Sequence, residues 1–424
     1  MKKIRLSLLF TLANLSVILA QATQQELFDT LEKTAGVHYA YPDKDIVAYT
    51  PVPKGYEAFY ISHFGRHGSR YLISDNDYKD VINLFEDANK YGALSSLGKD
   101  ALKRLQELWT EVEFRGGDLS PLGQREQRGI AERMYAHYPK VFAKDAQVEA
   151  SATTVVRVVL SMDAFSERIK ELNPSLQISR NAGIKWQQYL NYHTKEAIAF
   201  RSAKDTWKEE FLKFEAKHTN PHRLVNSLFS DTDYIVKKVN PDDLMKKLFA
   251  IAGGMQNTET KLSFYDLFEK QELFDLWQSG NYRLYVNDAN SALNNGIMFE
   301  NQKPTLKNIL ESANKIIASK GKGATLRFAH DGNIIPLAML LHLDGSYNSI
   351  SDPAKFYEAW SNFKVAPMAG NIQIVFFRKS KSDDILVKFL LHEKEILVPT
   401  IQTDKAPYYH WKDVEAYYKS LLAS

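Results

Sequence analysis

Cysteine is absent from all 424 positions. Disulfides, thiolate metal sites, cysteine nucleophiles and lipid attachment through cysteine are therefore excluded. Long apolar runs are nearly absent as well. The exception, Leu6 to Leu19, follows Lys2, Lys3 and Arg5 and precedes Ala20 and Ala22. That layout predicts a secretory leader over residues 1–22, cleaved after Ala22. The run is short for a membrane span, and no later stretch resembles one. An excess of either charge is missing too. The formal charge is +3, and the three leading basic residues supply it; the remaining Lys and Arg equal the 51 Asp and Glu. Without a basic field, nucleic acid is not an expected partner. Export without cysteine points to a bacterial periplasm or cell envelope, or to release beyond it. A chain of this length needs no covalent staples.

What the sequence does contain is core-forming material, 44% hydrophobic and 12% aromatic. Helical and strand patterns alternate, which predicts an α/β fold with a mixed central sheet flanked by helices. A strand is expected over Glu57 to His63, running into RHGSR. Tyr91 to Val112 reads as a helix with Leu94, Leu97, Leu102, Leu105 and Leu108 as its apolar set. Ser120 and Pro121 mark the N-cap and first position of another helix. QVEAS reads as a strand, and TTVVRVVLSMDAFSERIKEL as a helix stopped by Asn173-Pro174. The texture then changes. Residues 182–302 are charged, aromatic and mostly helical, and read as an insertion or cap domain. The α/β pattern of 23–181 resumes over 303–424, with ATLRFAH a strand and DGNIIPLAMLLHL a loop and helix. NIQIVFFRK and ILVKFLLHE are strands, and HWKDVEAYYKSLL is a closing helix.

Two clusters carry chemistry. Arg66, His67 and Arg70 lie within five residues at the end of an apolar strand. A neutral imidazole can attack phosphorus and split one hard step into two. Guanidinium forks match the charge on a phosphoryl group in transfer. Gly65 and Gly68 let the backbone approach a ligand. The alternative for such a cluster is a solvated turn or a core histidine. In the second cluster, His330 can donate to a phosphoryl oxygen. Asp331 can protonate a departing alkoxide, which favours acidic pH. Asn333 can hydrogen-bond or cap the next helix. The alternative there is an ordinary helix start. Arg157, set among four valines, is awkward to bury without an anion, unless it snorkels from a helix edge.

With these motifs in place, the chain resembles the acid phosphatase branch of the histidine phosphatase superfamily, which includes phytases and multiple inositol polyphosphate phosphatases. FGRHGSRYL is similar to the branch's RHGxRxP signature, with Leu72 where proline is usual; an altered loop is expected there. LSPLGQREQRGIAERM resembles the segment behind the site, and HDGN the HD pair. The resemblance implies His67 as nucleophile and Arg66, Arg70, Arg157 and His330 as phosphate ligands. It implies Asp331 as proton donor, where many bacterial inositol polyphosphate phosphatases have a glutamate in HAE. It also implies a substrate seated between the α/β domain and the insertion, making Lys185, His193, Lys195, Arg201 and Lys204 candidate contacts. Such residues are otherwise the solvated faces of helices. The scheme needs no cofactor and no metal. The expected partner is a small phosphorylated substrate, with no protein partner. Inositol polyphosphates are the first choice. A broad acid phosphatase acting on sugar phosphates or nucleotides is one alternative, and a noncatalytic phosphate-ligand binding protein is another.

Overall fold

Strand β1, Tyr56–Arg66, is buried from Phe59 onward. Such a run needs cover on both faces of its sheet. The computed structural model, which describes residues 23–423, supplies that cover. The leader predicted over 1–22 lies outside the described residues. Strands β2 (Gln147–Ala152), β3 (Ile178–Ala182), β4 (Gly323–Ala329), β5 (Asn371–Lys379), β6 (Ile385–Leu391), β7 (Lys394–Ile396) and β8 (Tyr408–His410) complete one sheet. Its order is β3-β2-β4-β1-β5-β6-β7, with β8 on β6. The β1–β4, β2–β4 and β2–β3 pairs are parallel, and β1–β5 is antiparallel. This is the expected mixed α/β sheet.

The helices that position the site are α1 (Asn76–Lys90), α2 (Ser96–Val112), α3 (Pro121–His137), α4 (Val156–Leu172), α5 (Lys195–Ser202), α6 (Pro241–Gly254), α7 (Lys270–Asp288), α8 (Lys303–Ala318), α9 (Asp331–Leu340) and α10 (Trp411–Ala423). On one sheet face Ile130 and Met134 of α3 and Met162, Phe165 and Ile169 of α4 pack on Ile61, Val148, Leu326 and Val375. On the other, α8, α9 and α10 cover Tyr60, Phe64, Ile374 and Phe376. The period-two alternation of β5, with Ile374 and Phe376 on one face and Val375 and Phe377 on the other, feeds both cores. A third core joins α1 and α2 to α6 and the start of α7, through Val81, Phe85, Leu105, Leu248, Ile251 and Leu273. Tyr71 and Leu72, at the end of the RHGSR loop, belong to it too.

Three local expectations need correction. The helix read from Tyr91 begins at Ser96, because Gly92, at φ +68°, ends α1 and Ser95 caps α2 through Gly98 N–H. Leu94 lies between them and bridges Phe229. The strand expected to stop at His63 continues to Arg66, held between β4 and β5. No loop follows His330: it is itself the N-cap residue of α9, which starts at Asp331.

Candidate active site

Ligands of open α/β sheets bind at the carboxyl ends of parallel strands, and the candidate residues collect at that edge. The β1–β4 register pairs Arg66 with Ala329, so the residues that follow, His67 and His330, stand side by side. Their ring centroids are 5.7 Å apart. Arg157, in the first turn of α4, arrives from the end of β2. A cation is disfavoured at a helix N-terminus unless an anion is shared with it. Its Nη1 is 3.5 Å from Gly117 O.

His67 is almost wholly buried, and its Nδ1 lies 2.8 Å from Gly68 O. A carbonyl only accepts, so Nδ1 carries the proton and Nε2 keeps its lone pair. Burial, then Arg66 and Arg157, holds the imidazole well below the ordinary histidine value, which keeps the ring neutral. His330 is pushed down to about 4, first by burial; its Nε2 is 3.1 Å from Thr153 Oγ1.

Arg66 is fully buried. It donates to the carbonyls of Val37 and, at 2.9 Å, Ala366, and to Asp331 Oδ2 at 3.0 Å. Arg70 donates to Tyr71 O at 2.8 Å and, through Nη2, to His38 Nε2 at 3.2 Å. Burial and the neighbouring Arg66 guanidinium lower Arg70 to about 10. Burial also drives His38 to about 3, so it stays a neutral acceptor. Among the described residues, the buried Nε atoms of Arg66, Arg70 and Arg157 have no acceptor, and neither side-chain polar atom of Asn333 has a partner. Burial works against the Asp331 charge, but the Arg66 and Arg70 guanidiniums outweigh it and hold the carboxyl well below its ordinary value. Gly332 N–H also donates to Asp331 Oδ1 at 2.9 Å. Asp331 is thus ionised before substrate arrives.

The loop between these residues is clamped by α3. Ser69 N–H donates to Glu126 Oε2 at 2.7 Å, Gln127 Nε2 donates to Arg66 O at 2.9 Å, and Ser120 N–H donates to Ser69 O at 2.9 Å. A Cβ on Gly68 would lie 2.3 Å from Gly123 O, and one on Gly123 would lie 2.2 Å from Ser69 O. Only two glycines allow this approach. Leu72, in place of proline, uses the N–H that proline lacks: it donates to Tyr78 Oη at 3.0 Å. Its carbonyl accepts from Gly117 N–H at 2.7 Å.

The insertion candidates separate. Arg201 of α5 donates to Asp288, to Asn287 O at 3.2 Å and to His193 Nδ1 at 3.1 Å, so this pair lies against the buried end of α7. Lys185 is exposed, with its ammonium 5.5 Å from the Trp186 ring centroid. Lys195, at the start of α5, and Lys204, two residues past its last, are exposed. His38, Glu126, Thr153, Asp288 and Asn257, whose Oδ1 accepts from Ser69 Oγ at 2.8 Å, were missed in the sequence. Each acts from a distant segment and is an ordinary residue type there. The GVHYAYP stretch carried one usable signal, a histidine next to two tyrosines.

The family model of the histidine phosphatase superfamily (branch 2) matches residues 64–392, and the chain belongs to that family. Among solved structures, the fold is similar to that of the Bifidobacterium longum multiple inositol polyphosphate phosphatase in complex with inositol hexasulfate. The TM-score is 0.77 at 17% identity, covering 91% of this chain and 97% of that one. The phytase from D. castellii gives 0.66 at 14%, covering 93% and 86%. The apo Hafnia alvei phytase gives 0.54 at 11%, covering 88% and 98%. No curated protein matches the chain.

Proposed function

We propose that this protein is an exported phosphomonoester hydrolase working through a phosphohistidine, with inositol polyphosphates, inositol hexakisphosphate included, as substrates. The observation that carries the chemistry is the His67 ring, neutral and pinned through Nδ1 to Gly68 O, set among three arginines whose buried Nε donors have no acceptor among the described residues. In this reading the phosphate docks on Arg66, Arg70, Arg157 and His330. Nε2 of His67 attacks phosphorus in line, the ester P–O bond breaks, and Asp331 gives its proton to the leaving oxygen. The arginines stabilise the transferring group. Water then attacks the phosphohistidine, Asp331 takes its proton, and phosphate leaves. The substrate dianion offsets the arginine charge and lets Asp331 take up the proton it lacks in the free protein.

The substrate class is supported by fold similarity to an inositol polyphosphate phosphatase and to phytases. A second reading, a broad acid phosphatase, draws on the insertion. Arg201 is committed to the chain's own acceptors, and Lys185, Lys195 and Lys204 are exposed. Phosphate release from inositol hexakisphosphate, p-nitrophenyl phosphate and glucose phosphates at pH 3 to 8 decides between them, with His67→Ala as the inactive control. Much higher kcat/KM on the inositol ester supports the first reading, and equal or better rates on simple esters support the second. No release from any of them, or full activity in His67→Ala, rejects the mechanism.

A further inference from the structure

A second carboxylate stands beside Asp331. Asp288 is the last residue of α7, buried, and its Oδ1 is 3.8 Å from where a Cβ on Gly332 would stand. Gly332 is the residue whose N–H holds Asp331 Oδ1. The two carboxylates therefore flank one glycine at the start of α9. Arg201 donates to Asp288 and is itself held by Asn287 O and His193.

We infer that Asp288 is a positioning residue for proton transfer, its charge, held by Arg201, keeping the catalytic proton on Asp331 once substrate is bound. This rests on Asp331 being the proton donor. The groups facing Asp288 are Arg201 from α5, Arg283 on its own helix, and Asp331 from α9. Those facing Asp331 are Arg66, His67, Arg70, Arg157, His330 and His38. In the free protein the arginines win, and Asp331 is ionised. A bound phosphate dianion offsets them, and the two carboxylates then compete for one proton. Like charges at close range cannot both remain ionised cheaply. Of the two carboxylates Arg201 bonds only Asp288, which keeps the charge there and leaves the proton to Asp331, beside the leaving oxygen. Burial raises the Asp288 carboxyl to about 6 even with Arg201 opposing it, so its charge acts on Asp331 above that pH, on the alkaline limb.

The test compares pH profiles of kcat for an alkyl ester, glycerol 2-phosphate, and for p-nitrophenyl phosphate, whose leaving group needs no proton. Asp288→Asn removes the charge that retains the proton. The alkaline limb for the alkyl ester should move down by roughly one pH unit, and the aryl ester should stay within about twofold. Arg201→Gln, which leaves Asp288 in place, should move the limb in the same direction and covers the case in which the first variant does not fold. An unmoved limb in both variants overturns the inference, as does an equal loss on both esters, which would mark a structural role. Asp331→Asn separates the two levels. If it fails to slow the alkyl ester selectively, the donor assignment is wrong and the inference falls with it. If it does slow that ester selectively while the Asp288 limb stays fixed, the inference alone is wrong.

Discussion

His38 shows how a single side chain outside the two motifs shapes the chemistry. It is a neutral imidazole accepting from Arg70 Nη2. In His38→Ala that donor loses its acceptor. One hydrogen bond contributes about 1 kcal/mol, so KM for a phosphomonoester should rise roughly fivefold, while His38→Gln, with an acceptor oxygen, should recover most of it. Steady-state kinetics on the two variants checks this. His67 makes a second prediction at this scale. Its pKa is held below the ordinary histidine value of 6.5, chiefly by burial. A histidine with a lowered pKa stays neutral as pH falls through 6.5 and protonates only further down. The proposed nucleophile should therefore remain available in mildly acidic solution. NMR titration of the His67 ring should show a midpoint well under 6.5, and a midpoint at or above that value would contradict the site as described. The residues that state their chemistry were legible in the sequence, because RHGSR and HDGN each compress several functional groups into a few positions. Thr153, Glu126 and His38 were not, since a threonine, a glutamate or a histidine alone carries no sign of what folding will bring near it.

Among the elements, the loop after β1 and α3 meet in close backbone contact at Gly68 and Gly123. The LSPLGQ segment was legible as a helix start, and Ser120 does cap it, through Gly123 N–H at 3.3 Å. That Gly123 is there to admit the catalytic loop was not legible, because close approach is a property of two segments. Gly123→Ala should push the new methyl into Ser69 O and displace the loop. Overpacking of this kind costs about 1–3 kcal/mol, and activity should fall at least tenfold. Urea denaturation together with kcat/KM measures both, and a variant with normal activity would show that the loop can yield. Helix α1 is a different lesson. Its buried set Tyr78, Val81, Ile82, Phe85 and Ala88 has helical spacing, yet the charged residues between them masked it.

In the whole molecule the loop is also a joint. It starts on the sheet at Arg66 and ends at Tyr71 and Leu72, inside the core that unites α1, α2 and α6. The sheet, with its period-two alternation, was legible; which helices share a core with the loop was not, because that pairing spans the whole chain. Leu105→Ala opens a cavity in this core. Such a change costs about 2–5 kcal/mol, and loosening the far anchor of the loop should raise KM by more than it lowers kcat. Chemical denaturation and kinetics on the same preparation check both. An unchanged KM in a destabilised variant would mean that loop and core are uncoupled.

The side-by-side placement of β1 and β4 also has a consequence in time. Arg66 and Asp331, which bond to each other, are 265 residues apart in the chain. During synthesis the first motif emerges long before the strand that brings its partners. In the proposed mechanism, until residues 323–331 are made and paired, the growing polypeptide holds a nucleophile with neither second histidine nor proton donor. Catalysis therefore switches on as a late event of folding, and a chain broken off before β4 is inert however well its earlier part is preserved.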